Sequence, residues 1–312
     1  MPRPIDCLPH HTSRIFLTDG GLEGDMMLAQ RFEVSEPGFH TLLSTGEGER
    51  VLRAHFTAQL EHAAGLGAGF IIDTPTWRAQ RALAGVQAIS PSVLREANER
   101  AAAFASRLRD DHDCAWMPVF VNGVVGPCDT GCATEYWPSV FEAEAYHTEQ
   151  IHWLAYAGVD LVTAMAFTNV PEAVGFVRAS QRIRIPAVVS FAIGEDGRLP
   201  SGQTLEGAID QVDAHTGAAP IYFMVNCLHP SHVADVLKTG AWSLRLGGVC
   251  CGGLRRRKGH GETCCEAQGL GAFAEDYKTL MARLPLANVF GGWRGAGGLP
   301  LHAFDFGVSG RC

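Results

Sequence analysis

Eight short apolar runs that alternate with stretches of helical periodicity constrain the fold more than any other feature of this sequence. The runs cover residues 15–18, 70–72, 117–121, 159–167, 185–191, 221–225, 244–249 and 287–290. Helical periodicity is found at 51–66, 91–108, 141–157, 171–180, 205–212, 231–237 and 274–284. Strands that alternate with helices are typical of a parallel sheet. We therefore predict an α/β fold, a single (β/α)8 TIM-type barrel over residues 1–312, with an irregular or incomplete C-terminal end.

An open, doubly wound sheet is the alternative arrangement of these elements. The chain has 312 residues, and one eightfold barrel needs about 250. No G-x-G-x-x-G sequence follows the first run, which disfavours a dinucleotide-binding open sheet. The barrel is the better prediction.

Polar residues and glycines follow the predicted strands, where barrels carry their chemistry. Asp19, Gly20 and Gly21 follow the first run, and Asp73 follows the second. The sixth run, five consecutive apolar residues at 221–225, is typical of a strand buried on both faces and ends in Asn226 and Cys227. A further thiol pair, Cys250 and Cys251, follows one element later.

Composition limits the functional class. With 25 basic and 33 acidic residues the formal charge is −8, which argues against a nucleic-acid or anionic-membrane partner. No apolar stretch reaches the length of a membrane helix, and the first residues lack the apolar segment of a signal peptide. We expect a soluble, cytoplasmic protein in which ten cysteines indicate metal binding or catalysis rather than a disulfide scaffold.

Several strand ends resemble those of the homocysteine S-methyltransferase family, the barrel shared by betaine–homocysteine and S-methylmethionine–homocysteine methyltransferases. The matching pieces are LTDGGL at 17–22, NGVVGP at 122–127, PAVVSF at 186–191 and VNC at 225–227. Each piece is short, but their order and spacing extend from residue 15 to about residue 237. The resemblance implies a zinc-dependent transfer of a methyl group from an S-methyl or N-methyl donor to the thiol of homocysteine.

The resemblance also implies site residues. Zinc would be held by three thiolates and would activate the substrate thiol. Cys227 matches one family ligand, and the substrate's polar groups would be held by Asp19, Gly20, Gly21 and Asn226. The expected partners are a small amino-acid substrate and a methyl donor, and the cofactor is Zn²⁺.

The sequence departs from the family pattern at two places. The family's other two zinc cysteines end the last strand, where this chain has Trp293 and Arg294, neither of which ligates zinc. We predict Cys250 and Cys251 as substitutes, because neighbouring strand ends are about 5 Å apart. The family's glutamate for the substrate amine corresponds to Met165. Either the amino-acid specificity has drifted, or another carboxylate takes this role, for which we predict Asp73.

For Cys128, Cys132 and His147 we predict no role in metal binding or catalysis. The two cysteines have a C-x₃-C spacing without a second pair nearby, so we expect loop thiols rather than ligands. A lone histidine within a helix is usually a hydrogen-bonded packing residue, and we expect this of His147.

The missing thiols coincide with unusual composition. Residues 243–271 are rich in arginine, glycine and cysteine, and residues 293–312 are rich in glycine, whereas strand and helix patterning returns between 272 and 292. We hypothesise that both stretches are translated out of frame. Reading the coding DNA tests this: a one-base correction should restore Cys-Cys-Gly after Gly292, and failure to do so rejects the hypothesis.

Two other functions stay open at this stage. The chain could be a metal-free, catalytically impaired barrel of the same family that retains binding or has no activity. It could also be an unrelated barrel lyase that uses Cys227 or His229 as acid or nucleophile, which requires a base within hydrogen-bond reach.

Overall fold

The structure is a computed structural model of the chain. It describes residues 7–19, 22, 38–81, 89–128, 137–227, 229–237, 240–256, 265–267, 269–292 and 302–304. Gly20, Gly21, Cys132, Trp293 and Arg294 lie outside the described residues. So does most of the C-terminal end for which the sequence predicted an irregular structure.

Ten strands and seven α-helices are present in the described ranges. The strands are β1 (Phe16–Thr18), β2 (Gly69–Asp73), β3 (Val119–Val125), β4 (Leu161–Phe167), β5 (Ala187–Ala192), β6 (Tyr222–Cys227), β7 (Leu246–Cys251), β8 (Leu254–Arg256), β9 (Cys265–Ala267) and β10 (Val289–Gly292). The helices are α1 (Gly46–Gly65), α2 (Pro91–His112), α3 (Val140–Tyr156), α4 (Val170–Ile183), α5 (Leu205–Thr216), α6 (Pro230–Val236) and α7 (Leu270–Arg283).

Eight of these strands form a closed parallel barrel in the order β1-β10-β7-β6-β5-β4-β3-β2. The barrel closes where Phe16 and Leu17 pair with Val289 and Phe290. The predicted (β/α)8 barrel is therefore confirmed. Strands β8 and β9 are an antiparallel pair outside the barrel, inserted where the sequence is rich in glycine and arginine.

The apolar core has two layers because side chains alternate across each strand. Large side chains inside the barrel form one cluster, which includes Phe16, Phe120, Tyr222 and Met224. The outward side chains of the same strands pack against the helices in a second and larger cluster. Every residue of β3 and β4 is buried, which explains their nearly continuous apolar sequences.

Six of the seven described α-helices begin after a residue whose side chain caps them, and α7 is the exception. Ser139 caps α3 and forms a capping box with Glu142, and the Asn169 side chain accepts a hydrogen bond from the Glu172 N–H at the start of α4. Several helices extend beyond their predicted ends: α1 starts at Gly46 rather than 51, and α7 starts at Leu270 rather than 274. Thr45 caps α1. Because Thr45 precedes the first apolar residue of the predicted helix, the apolar pattern alone places the start of this helix too late. No described helix is long and apolar enough to cross a membrane.

Candidate active site at the carboxyl end of the barrel

A layer of polar side chains fills the inside of the barrel near the carboxyl ends of its strands. Thr18 donates to Asp73 at 2.7 Å, Asn122 donates to the other oxygen of Asp73 at 2.6 Å, and Thr163 donates to Asn122 at 2.9 Å. These four residues come from β1 to β4 and are all buried. The hydrogen bonds hold the Asp73 carboxyl in a fixed orientation between neighbouring strands.

Burial raises the pKa of Asp73 to about 7. The hydrogen bonds from Asn122 and Thr18 oppose this shift, and the charge of Asp19 adds to it. A cation placed beside a buried carboxyl group lowers its pKa and favours the carboxylate. A cation bound beside Asp73 would therefore favour its ionised form.

Asp19 follows β1, and its side chain is only 12% exposed. Its carboxylate accepts a hydrogen bond from the N–H of Leu22 at 2.7 Å and lies 3.2 Å from Nε2 of His55. Gln59 donates to the same carboxylate at 3.4 Å. The sequence predicted Asp19 as a substrate ligand but gave no sign of His55 or Gln59. They face Asp19 because they lie one helical turn apart on α1, which packs against β2, the neighbour of β1 in the barrel.

Asn226 is at the end of β6 with its side chain 2% exposed. Its Oδ1 accepts hydrogen bonds from the Ala166 N–H at 3.1 Å and from the Ser190 hydroxyl, and its Nδ2 lies 3.4 Å from the sulfur of Met165. Ala166 has φ of 60°, a left-handed conformation that non-glycine residues rarely adopt. Asn226 thus holds an irregular end of β4, where the register with β5 shifts.

We expect Asn226→Ala to lower the free energy of unfolding by roughly 2–4 kcal/mol, because it leaves two buried donors without an acceptor. Denaturant unfolding measures this change. Asn288→Ala is a matched control: Asn288 Nδ2 contacts the carbonyls of Pro9, Thr12 and Arg14 near the amino end of the barrel. Both variants should lose stability, but only Asn226→Ala should alter substrate binding. Unchanged stability of Asn226→Ala would contradict the described role.

The predicted metal ligands are at the carboxyl ends of β6 and β7. Cys227 pairs with Cys251 across the two strands, and their sulfur atoms are 3.0 Å apart. Both belong to the outer core layer, whereas Cys250 belongs to the cluster inside the barrel. Consecutive residues of a strand face opposite sides. The structure therefore brings Cys227 and Cys251 together, and the three sulfurs are not all within 4.8 Å of one another.

Burial raises the pKa values of Cys250 and Cys251 well above the ordinary thiol value. The charges of Asp73, Cys227 and Asp19 add to the shift of Cys250, and the hydrogen bond and charge of Cys227 and the charge of Cys250 add to that of Cys251. The Tyr277 hydroxyl on α7 is buried without a hydrogen-bond partner among the described residues, and besides burial the nearby thiols raise its pKa. A divalent cation at Cys227 and Cys251 would favour their thiolates, so the donor chemistry of this pair fits zinc.

His229 has a structural place. Its Nδ1 lies 2.9 Å from the Ser231 hydroxyl and accepts a hydrogen bond from the Ser231 N–H, which caps α6. Asp276 is at the edge of contact, 4.0 Å from the same nitrogen. A histidine that caps a helix is oriented by that helix, and this geometry gives no support to His229 as a nucleophile.

A cavity of about 730 Å³ lies at the opposite, amino end of the barrel. It is lined by residues that precede the strands, including His10, Ile15, Ile221 and Asn288. Barrel enzymes place their chemistry at the carboxyl end, where the polar layer and the thiol pair are found. We therefore assign the candidate site to the carboxyl end.

The fold and the site together place this chain among (β/α)8 barrel proteins with a thiol-bearing site at the carboxyl ends of the strands. Comparison with known families narrows this class. The sequence model of the family "Homocysteine S-methyltransferase" matches residues 16–289, and the chain belongs to this family. The resemblance seen in the strand ends is thus confirmed.

Solved structures show the same fold. The metallated form of the homocysteine methyltransferase MmuM from Escherichia coli has a TM-score of 0.68 at 16% identity, over 94% of this chain and 96% of that one. The oxidized form of MmuM gives 0.69 at 16% identity, over 97% and 99% of the two chains. A comparison with curated protein sequences gave no significant match.

Proposed function

We propose that this chain transfers a methyl group from an S-methyl or N-methyl donor to the thiol of homocysteine, forming methionine, with Zn²⁺ as cofactor. One observation carries the proposal: a chain of this family has two thiols, Cys227 and Cys251, 3.0 Å apart at the carboxyl ends of adjacent barrel strands. Paired thiols are donors that zinc prefers. The expected partners are two small molecules.

Cys227 and Cys251 are the residues proposed to hold zinc. When bound, the ion would supply the electrostatic stabilisation that keeps a substrate thiol ionised at neutral pH. The predicted third ligand, Cys250, faces the inside of the barrel and would join only if the end of β7 turned. The buried Tyr277 hydroxyl has no hydrogen-bond partner among the described residues, and we propose that a thiolate formed nearby would become its acceptor.

The polar layer is proposed to bind the amino-acid part of homocysteine. Asp73 would receive the ammonium group, because its carboxyl is buried and fixed by Thr18 and Asn122. Asp19, with the amides of Gly20 and Gly21, would hold the polar end of the substrate, and Asn226 would maintain the shape of the site beside Met165. These groups orient the substrate and exclude water from it.

The proposed reaction is a single displacement. The homocysteine sulfur forms a bond to the methyl carbon, and the bond from that carbon to the positively charged sulfur or nitrogen of the donor breaks. The electron pair of the broken bond stays on the donor, so the sulfur or nitrogen atom that lost the methyl group becomes neutral. The thiol proton is released to solvent. The chain's contribution is alignment of sulfur and methyl in a buried site.

A direct assay tests the proposal. The purified chain should form methionine from homocysteine with S-methylmethionine or with betaine, and chelation should abolish the activity while added Zn²⁺ restores it. These two donors represent the S-methyl and N-methyl classes. Activity with neither donor in zinc-loaded protein would reject methyl transfer. Activity that survives complete removal of metal would reject the zinc dependence.

A metal-free, catalytically impaired barrel is the second candidate. Two observations favour it: Cys250 lies away from the thiol pair, and Met165 replaces the amine-binding glutamate expected from the family. In this case the protein would contain no zinc at the thiol pair and would bind homocysteine without turnover. Zinc analysis of protein purified without added metal, followed by the methyl-transfer assay, separates the two candidates, because zinc and turnover are expected only of the first.

A further inference from the structure

Three side chains with metal-binding atoms meet away from the thiol pair. They are Cys128, which follows β3, His147 on α3 and Glu172 on α4, and their donor atoms all lie within 4.8 Å of one another. His147 and Glu172 are buried, with Nε2 and Oε1 3.1 Å apart. Within the described part of the chain, no other group of three His, Cys, Asp or Glu side chains is as compact.

Local packing brings the three residues together. Helices α3 and α4 approach at Gly175, where an added Cβ would lie 2.5 Å from the Cβ of Ala143. Gly175 is one turn from Glu172, and Ala143 is one turn from His147, so the close approach sets the two side chains face to face. The backbone N–H of Cys128 donates to Oε1 of Glu172 at 2.5 Å, which fixes the segment after β3 beside them.

The carboxylate has an orienting partner. Asn169, the cap of α4, donates to Oε2 of Glu172 at 3.0 Å, the kind of hydrogen bond that positions ligating carboxylates. Burial alone would raise the pKa of Glu172, but the hydrogen bond and charge of His147 and the hydrogen bonds from Cys128 outweigh it and lower the pKa. Glu172 is therefore a buried carboxyl group surrounded by hydrogen-bond donors.

The donor set selects a class of ion. One sulfur, one imidazole nitrogen and one carboxylate oxygen suit Zn²⁺ and similar divalent transition metals rather than Mg²⁺ or Ca²⁺, which prefer oxygen alone. Ligand atoms around tetrahedral zinc are about 3.4–3.8 Å apart, given bonds of about 2.0–2.3 Å. The 3.1 Å between Nε2 of His147 and Oε1 of Glu172 requires only a small expansion to admit an ion, and Sγ of Cys128 lies within 4.8 Å of both atoms.

We propose that Cys128, His147 and Glu172 form a second metal site, with Zn²⁺ as the expected ion. The site is separate from the thiol pair, because β3 and β6 are three strands apart around the barrel. It joins the segment after β3 to α3 and α4. Its role is structural: the ion links the carboxyl end of β3, the strand that contains Asn122, to the outer helices. It takes no part in methyl transfer.

Cobalt binding tests this proposal independently of the first site. The background is the double variant Cys227→Ser/Cys251→Ser, in which the thiol pair is removed whether or not it binds metal. Co²⁺ should bind at one equivalent per chain and give the ultraviolet charge-transfer band of a cobalt–thiolate bond. Adding Cys128→Ser should remove the band and weaken Co²⁺ binding at least about 10-fold, whereas adding Cys114→Ser should change neither.

A variant of a second ligand and a second measurement distinguish the loss of the metal site from misfolding. His147→Gln should weaken Co²⁺ binding to a similar degree while circular dichroism shows a folded barrel. Zn²⁺ should raise the thermal midpoint of the double variant and should not do so once Cys128→Ser is added. Absence of bound Co²⁺ in the folded double variant overturns the proposal. So does binding that is insensitive to both Cys128→Ser and His147→Gln.

Discussion

Cys227→Ser is expected to reduce methyl transfer to homocysteine to the uncatalysed background and to remove one equivalent of zinc from the protein. The reason is that Cys227 contributes one of the two sulfurs that the fold places together. Loss of residues that merely support a metal ligand already costs roughly 10–100-fold, so loss of a ligand should cost at least that. Methionine formation and metal analysis on the same preparation measure both effects.

Cys114→Ser is the matched control for this substitution. Cys114 is partly buried and precedes β3, near the amino end of the barrel, and its sulfur is 4.0 Å from the carbonyl of Met117. The control should retain activity and zinc. If Cys227→Ser keeps full activity, the proposed zinc site is wrong. If it loses activity but keeps all of its zinc, Cys227 acts in another way.

Cys250→Ser decides the number of thiol donors in the same experiment. Zinc retained in this variant means that Cys227 and Cys251 suffice. Zinc lost together with activity means that β7 turns at its end and supplies both of its cysteines. The position of Cys250 inside the barrel favours the first result.

Asp73→Asn is expected to stabilise the protein above pH 7 and to impair substrate binding. In the folded protein the pKa of Asp73 is raised to about 7 from 3.8. Between these values the folded chain binds a proton that the unfolded chain does not, so wild-type stability falls as pH rises through this window and levels off above about pH 7. At 1.36 kcal/mol per pKa unit, the loss is at most about 4 kcal/mol.

An asparagine avoids this loss because it has no charge to bury. Its Oδ1 can accept from Asn122, and its Nδ2 can donate to the Thr18 hydroxyl, which then donates to the carbonyl of Ile71, already 3.0 Å away. Without the carboxylate, the substrate ammonium loses a charge-assisted hydrogen bond, and KM for homocysteine should rise roughly 10- to 100-fold. Denaturant unfolding at pH 4, 6 and 8, with KM at pH 8, measures both effects.

Asp110→Asn is the control for Asp73→Asn, since Asp110 is a surface residue whose side chain is 70% exposed. It should change neither stability nor KM appreciably. If Asp73→Asn is less stable than the wild type at pH 8, the ionised carboxyl group stabilises the fold, which contradicts the prediction. Should KM stay the same, the ammonium group binds elsewhere.

The barrel could be predicted from the sequence because its strands are buried on both faces. Runs such as residues 221–225 are continuously apolar, and glycines and polar residues mark their ends, so eight strand ends could be placed on one rim. Cys227 and Asp73 are candidate site residues by this position alone. A resemblance in four short motifs then supplied the chemistry.

Other parts of the site depend on contacts that sequence patterns do not encode. His55 and Gln59 look like ordinary polar positions of a helix, and only the packing of α1 brings them to Asp19. Cys128, His147 and Glu172 are 19 and 25 residues apart in turn, and their meeting requires the close approach of two helices at Gly175. The expectation that His147 is a hydrogen-bonded packing residue holds for its contact with Glu172, but Cys128 gave no sign of joining them.

One extra residue in β7 determines which sulfur faces Cys227. Phe223 pairs with Leu246 and Met224 pairs with Gly248, so Gly247 is a bulge with no counterpart on β6. Side chains larger than hydrogen are excluded there, because a Cβ would lie 2.6 Å from the ring of Tyr222. A regular ladder would slide the strand by one position and set Cys250 opposite Cys227 instead. The register of β7 therefore determines which of its two cysteines faces β6. In either register, an extended β7 places only one sulfur beside Cys227, because consecutive residues face opposite sides.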